Sequence, residues 1–135
     1  MSKNNRKKGH DLERQVTSDL KFSFPFARTS RAASKQLDNC KIDIAFTPIL
    51  FQCKAGYTRN RPKYEEEFVK MKEQIALHYP ENDPVHKSPF VLVHKLDAGK
   101  GNRRKEEMLQ VTTSYDFFMW LINNCEPLKK MPLIR

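Results

Sequence analysis

No segment of the chain approaches the roughly 18 to 20 consecutive apolar residues that a membrane-spanning helix needs, and the opening MSKNNRKKGHDLE lacks the apolar run of a secretory signal. A soluble, intracellular, cytoplasmic protein with no membrane partner is expected. Cysteine is sparse: Cys40, Cys53 and Cys125 are odd in number, widely spaced and without a CxxC step. That pattern signals neither a disulfide framework nor a structural zinc site, and the three read as buried or half-buried thiols. There is no internal repeat. There is also no basic amphipathic helix with a broad aromatic face, which turns a basic chain away from membrane surfaces.

What the first half lacks is acid. Residues 1–63 hold 14 Lys/Arg against 5 Asp/Glu, whereas residues 64–135 hold 11 against 11. The whole net charge of +9 therefore sits in the N-terminal half. Clustered cations suit a polyanionic partner, because each neutralised phosphate releases counterions. Nucleic acid is favoured; a merely soluble basic surface is the plainer alternative. At 135 residues and 39% hydrophobic content, one domain spanning 1–135 with one core is expected.

Along the chain, residues 2–8 (SKNNRKK) have no hydrophobic period and read as a flexible basic arm over 1–8. Leu12, Val16 and Leu20 then recur at four-residue spacing, which predicts a helix over 10–21 with Glu13 at the edge of its apolar stripe. The segment FSFPFARTSRAASKQLDNCK breaks that period, and a short strand near 24–28 followed by an exposed basic loop through Asn39 is expected. KIDIAF and ILFQCK, separated by Thr47-Pro48, read as a β-hairpin in which Asp43 faces Gln52. Strand alternation puts Gln52 and Lys54 on one face, with Phe51 and Cys53 on the other.

Downstream, Tyr64, Phe68, Met71, Ile75 and Tyr79 form a helical stripe, with Glu65, Glu66 and Glu67 in the first turn where the helix dipole favours them. FVLVHKL (90–96) reads as a buried strand, AGKGNRRKEE as a basic loop and MLQVTT (108–113) as the partner strand. Ser114 is placed to cap a last helix with Tyr115, Phe118, Met119 and Ile122 on its apolar face. An irregular tail over 127–135 follows. The fold class expected is α/β, a mixed central sheet flanked by helices.

GHDLER (9–14), RTSRAAS (28–34), KIDIAF (41–46) and FQCK (51–54) occur in the order helix with Glu, Arg/Ser-rich loop, strand with Asp, strand with Gln-x-Lys. That order resembles the PD-(D/E)xK nuclease superfamily, and within it the archaeal-type Holliday junction resolvases, over roughly residues 8–80. Ile42 stands where the family usually has proline. Gln52 replaces the second acidic residue, and Gln-x-Lys looks like the variant in type IV, methylation-related restriction nucleases. The resemblance implies a restriction-endonuclease-like fold, DNA cleavage, a branched DNA substrate and a homodimer. Catalytic roles then fall on Glu13, Asp43, Gln52 and Lys54. It also implies phosphate contacts from Arg28, Ser30, Arg31, Ser34 and Lys35. Lys7, Lys8, Arg59 and Arg61 would extend that basic surface.

Phosphodiester hydrolysis needs a hydroxide-like nucleophile and neutralisation of charge growing on the phosphoryl oxygens, and a divalent cation supplies both. Magnesium prefers oxygen ligands, with Mn²⁺ as a substitute. Asp43 would be the principal ligand, joined by the Gln52 side-chain oxygen, the backbone carbonyl of Cys53 and, directly or through water, Glu13. Lys54 would orient the attacking water or act as a fixed cation in the transition state. A duplex-cutting restriction or repair nuclease would share this site. A non-catalytic DNA-binding module, or a purely structural ion-pair network at Asp43, Gln52 and Lys54, are the competing readings.

Overall fold

A computed structural model describes residues 3–57, 61–96 and 109–135. The chain is mixed α/β. Its order is α1 (Lys3–Leu20), β1 (Arg28–Thr29), α2 (Ser30–Ala33), α3 (Lys35–Asn39), β2 (Ile44–Ala45), β3 (Leu50–Tyr57), α4 (Tyr64–His78), a short 3-10 turn, β4 (Phe90–Leu96), β5 (Leu109–Thr113), α5 (Tyr115–Asn123) and α6 (Glu126–Lys129). The expected basic loop between β4 and β5 lies outside the described residues, as does Arg59.

The central sheet has the order β3-β4-β5. β3 runs parallel to β4 from Leu50↔Phe90 to Lys54↔His94, with an irregularity before Tyr57. A parallel pair needs a long crossover, and α4 supplies it. β4 and β5 are antiparallel, with Val91 opposite Thr113 and Lys95 opposite Leu109.

Strand alternation divides the interior into two cores. Phe51, Cys53, Val91 and Val93 pack with Leu12 and Val16 of α1 and with Ala27 and Ile44. Leu50, Phe90 and Leu92 pack with Met71 and Ile75 of α4 and with Cys40 and Ile42. Met71 and Ile75 are completely buried, each contributing roughly 1.5–3 kcal/mol through removal of its apolar surface from water. The sheet is thus sandwiched between α1 and α4, which is why β4 reads as an almost unbroken apolar run.

Several sequence expectations change, the single expected core among them. The helix begins at Lys3, so residues 3–8 extend α1 instead of forming an arm. The segment 30–39 is not an open loop: Ser34 accepts a hydrogen bond from the Leu37 N–H and starts α3 directly after α2. The tail contains α6 before its irregular end. The hairpin is the largest correction, since β2 pairs with β1 (Arg28↔Ala45, Thr29↔Ile44) and β3 takes β4. Lys41 and Phe46 both have left-handed backbone, with φ of 68° and 66°. These bends confine β2 to two residues and prevent a regular ladder with β3. Ser114 caps α5 as expected, but Tyr115 and Phe118 of its expected inner face are exposed and Phe117 packs on the core instead.

Candidate active site

Leu12 and Val16 drive α1 against β3 because they face the first core. Glu13 is carried down with them and is only 8% exposed. A carboxylate so placed needs a partner, and Arg31 provides one: its Nε donates to Glu13 Oε2 at 3.0 Å. Arg31 belongs to α2, so the basic segment that follows β1 folds back over α1 and contributes a cation to the site.

Asp43 joins three elements. Its backbone N–H donates to Phe51 O and its backbone carbonyl accepts from the Ser30 N–H, each at 2.8 Å. Its side chain accepts from the Cys53 N–H through Oδ2 at 2.7 Å. The residue therefore lies along the free edge of β3 and brackets Gln52, the juxtaposition the hairpin reading anticipated, although no regular ladder exists. Ile42 and Ile44, on either side, enter different cores, so the segment crosses the sheet edge at Asp43. Burial raises the Asp43 carboxyl most; the Cys53 N–H lowers it, Glu13 raises it, Lys54 lowers it and Asp38 raises it, with a result of about 7. In an extended strand the N–H and C=O of one residue point to the same edge. The Cys53 carbonyl consequently faces the Asp43 side.

Gln52 is 3% exposed, and its Oε1 has no hydrogen-bond partner. An orphaned buried oxygen costs about 1–3 kcal/mol. Lys54 lies on the same face, 3.6 Å from Glu67 Oε2 of α4. Glu13, Arg31, Asp43, Gln52, Cys53 and Lys54 all line one open cavity of about 700 Å³. Its N-terminal wall is formed by α1, including Gly9 and His10. At the far end Gly56 has φ of +91°, and an added Cβ would lie 3.0 Å from Asn5 Oδ1. Glycine at 56 lets the first turns of α1 close over the end of β3.

The expected phosphate contacts divide. Arg28, Lys35 and Arg61 are exposed, and Lys7 and Lys8 lie on the exposed face of α1. Ser30, the first residue of α2, is fully buried, and Ser34 is engaged in capping α3. Neither serine presents a hydroxyl to a ligand in this arrangement. Arg31 faces the cavity, but its first partner is Glu13.

Sequence reasoning missed Glu67, which it assigned to the helix dipole, and the Arg31–Glu13 pair. A signal existed for the first: Glu67, Met71 and Ile75 follow four-residue spacing, so Glu67 shares the core-facing stripe of α4.

The oxygens of Glu13, Asp43, Gln52 and the Cys53 backbone that line this cavity are hard donors, which would suit magnesium better than a softer metal. Among the described residues no group of three His, Cys, Asp or Glu is placed to hold a metal ion. The orphaned Gln52 Oε1 is the feature that fits a cation. No family model, no curated protein and no solved structure matches the chain.

Proposed function

We propose that the chain is a magnesium-dependent endodeoxyribonuclease with a restriction-endonuclease-like fold, acting on branched DNA such as a four-way junction. The observation that carries this reading is the buried, unpartnered Gln52 Oε1 in one cavity with Glu13, Asp43 and Lys54. Basic charge concentrated in residues 1–63 supports a polyanionic substrate.

Asp43, Gln52 and Glu13 would hold the metal, which supplies charge neutralisation and an acidified water. Glu13 would have to share its carboxylate with Arg31 or release it. Asp43 reaches the cavity as an anchored group, since its two backbone bonds and the Cys53 N–H fix its orientation. Lys54 offers a cation beside the phosphoryl oxygens, where charge develops in the transition state. Arg28, Lys35, Lys7, Lys8 and Arg61 would bind backbone phosphates outside the cavity. A homodimer would place two sites on opposing strands. The exposed apolar side chains of Phe118, Trp120 and Leu121 on α5 support such an interface.

A second reading, a salt-sensitive DNA-binding module without catalysis, is favoured by the absence, among the described residues, of any group of three His, Cys, Asp or Glu placed to hold a metal ion. The two readings separate in one assay. A labelled four-way junction and the matching linear duplex are incubated with protein and Mg²⁺, with EDTA and Asp43→Ala as controls. The nuclease reading expects cleavage that disappears in both controls, faster on the junction. Equal cleavage of both substrates points to a duplex-cutting enzyme of restriction or repair type. Binding without cleavage, or cleavage unchanged by Asp43→Ala, overturns the proposed centre.

A further inference from the structure

The lysine of the candidate site is not alone on its face of the sheet. Lys54 leaves β3 toward α4, and its neighbour across the parallel ladder is His94 of β4. His94 is 3% exposed and its Nδ1 has no hydrogen-bond partner. Burial, and then Arg61, lower its pKa and favour the neutral imidazole. His94 thus gives the ammonium an uncharged wall. The charged contact comes from the other side, where Glu67 Oε2 lies 3.6 Å from Lys54 Nζ, with side-chain exposures of 13% and 30%.

Three consecutive glutamates open α4, but they are not equivalent. Glu65 and Glu66 are exposed, while Glu67 is half-buried on the stripe that continues to Met71 and Ile75. A carboxylate serving only the helix dipole would remain in solvent with its neighbours. Glu67 instead turns inward and meets the one lysine of β3. A lysine side chain has four rotatable carbons and a compact charge, so its position is set by its partners more than by its own geometry.

We propose that Glu67 is a positioning residue that holds the Lys54 ammonium at the rim of the Asp43–Gln52 cavity. The consequence for cleavage rests on the reading of Lys54 as the cation facing the scissile phosphate, whereas the positioning itself does not. Glu67→Gln keeps the shape and the helix but removes the charge. Glu67→Asp keeps the charge but withdraws it by one methylene.

The test has a metal-free arm and a catalytic arm. In DNA-free protein, trace acetylation by acetic anhydride with mass-spectrometric readout gives the reactivity of Lys54 relative to exposed Lys35. Glu67→Gln should raise Lys54 labelling several-fold, with Glu67→Asp between it and the wild type. Unchanged labelling overturns the proposal. In the cleavage assay, Glu67→Gln should lower kcat about tenfold with an unchanged KM for DNA, and should cost nothing further in a Lys54→Met background. An equal loss in both backgrounds means that Glu67 does not act through Lys54. A wild-type protein that fails to cleave removes the nuclease reading, and the labelling arm still decides the role of Glu67.

Discussion

Replacing Lys54 by alanine is expected to lower single-turnover cleavage about 10²- to 10³-fold, the size of effect seen when one preorganised donor to a developing oxyanion is removed. Binding of Mg²⁺ and of DNA should remain near wild type. The split follows from position. Lys54 Nζ is near the cavity but pairs with Glu67, so on the nuclease reading its charge would matter most when the phosphoryl oxygens gain charge. Ground-state DNA affinity would be distributed over many surface cations, so that the loss of one of them would be a modest change. A loss confined to KM would assign Lys54 to binding. The variant also leaves Glu67 half-buried without its partner, so a small drop in melting temperature should accompany the loss of rate. Lys54→Arg, which keeps the charge but not the compact ammonium, should recover only part of the rate.

Asp43→Asn is expected to be inactive and yet more stable than wild type at pH 8. Burial is the main cause of the elevated Asp43 carboxyl, which titrates near 7 in the fold against 3.8 for an unperturbed aspartate. A raised folded-state value means that the native protein binds this proton more tightly than the unfolded chain does. The stabilisation is fully present below pH 4 and is lost as pH rises from about 4 to 7. The shift corresponds to roughly 4 kcal/mol at most, and partial solvent access reduces the figure to about 2 kcal/mol. Asparagine carries no charge at any pH and can still accept from the Cys53 N–H. Its advantage should therefore be near zero at pH 4 and grow to about 2 kcal/mol, or roughly 6 °C in Tm, at pH 8. Paired thermal melts across that range check the sign. An advantage that shrinks as pH rises would show that Asp43 is ionised and stabilising in the metal-free fold.

The sequence shows some parts of this fold clearly and others not at all. The stripe of Phe68, Met71 and Ile75 was readable because helical periodicity repeats over four turns. The apolar run from Phe90 to Leu96 was readable because both of its faces are covered. Gln52 and Lys54 were assigned to one face correctly, since alternation along a strand is local. The partner of β3 was not readable, because pairing is a long-range choice and the neighbouring KIDIAF looked equally suitable. Nothing in that hexapeptide announces left-handed backbone at Phe46, a residue type that rarely adopts it. The short helices α2 and α3 are too brief to show a period. The turns that α1 adds before His10 carry no apolar stripe, and so gave no signal. Within the site, the hairpin reading places Asp43 beside Gln52, although the ladder it assumes does not form. The Arg31–Glu13 and Lys54–Glu67 contacts were not readable, because each joins elements far apart in the chain.

The centre itself is tested most directly by metal binding in the absence of DNA. Mn²⁺, standing in for Mg²⁺, is titrated into wild-type protein and Asp43→Ala at pH 6 and pH 8, with water-proton relaxation as the readout. Ligation by a carboxylate that must first lose a proton gives tighter binding at pH 8, with displacement by Mg²⁺. The same titration of Asp43→Ala should show little binding at either pH. Absence of a Mn²⁺ site in the wild type, or a site that survives Asp43→Ala unchanged, would contradict a metal centre built on Asp43 and Gln52.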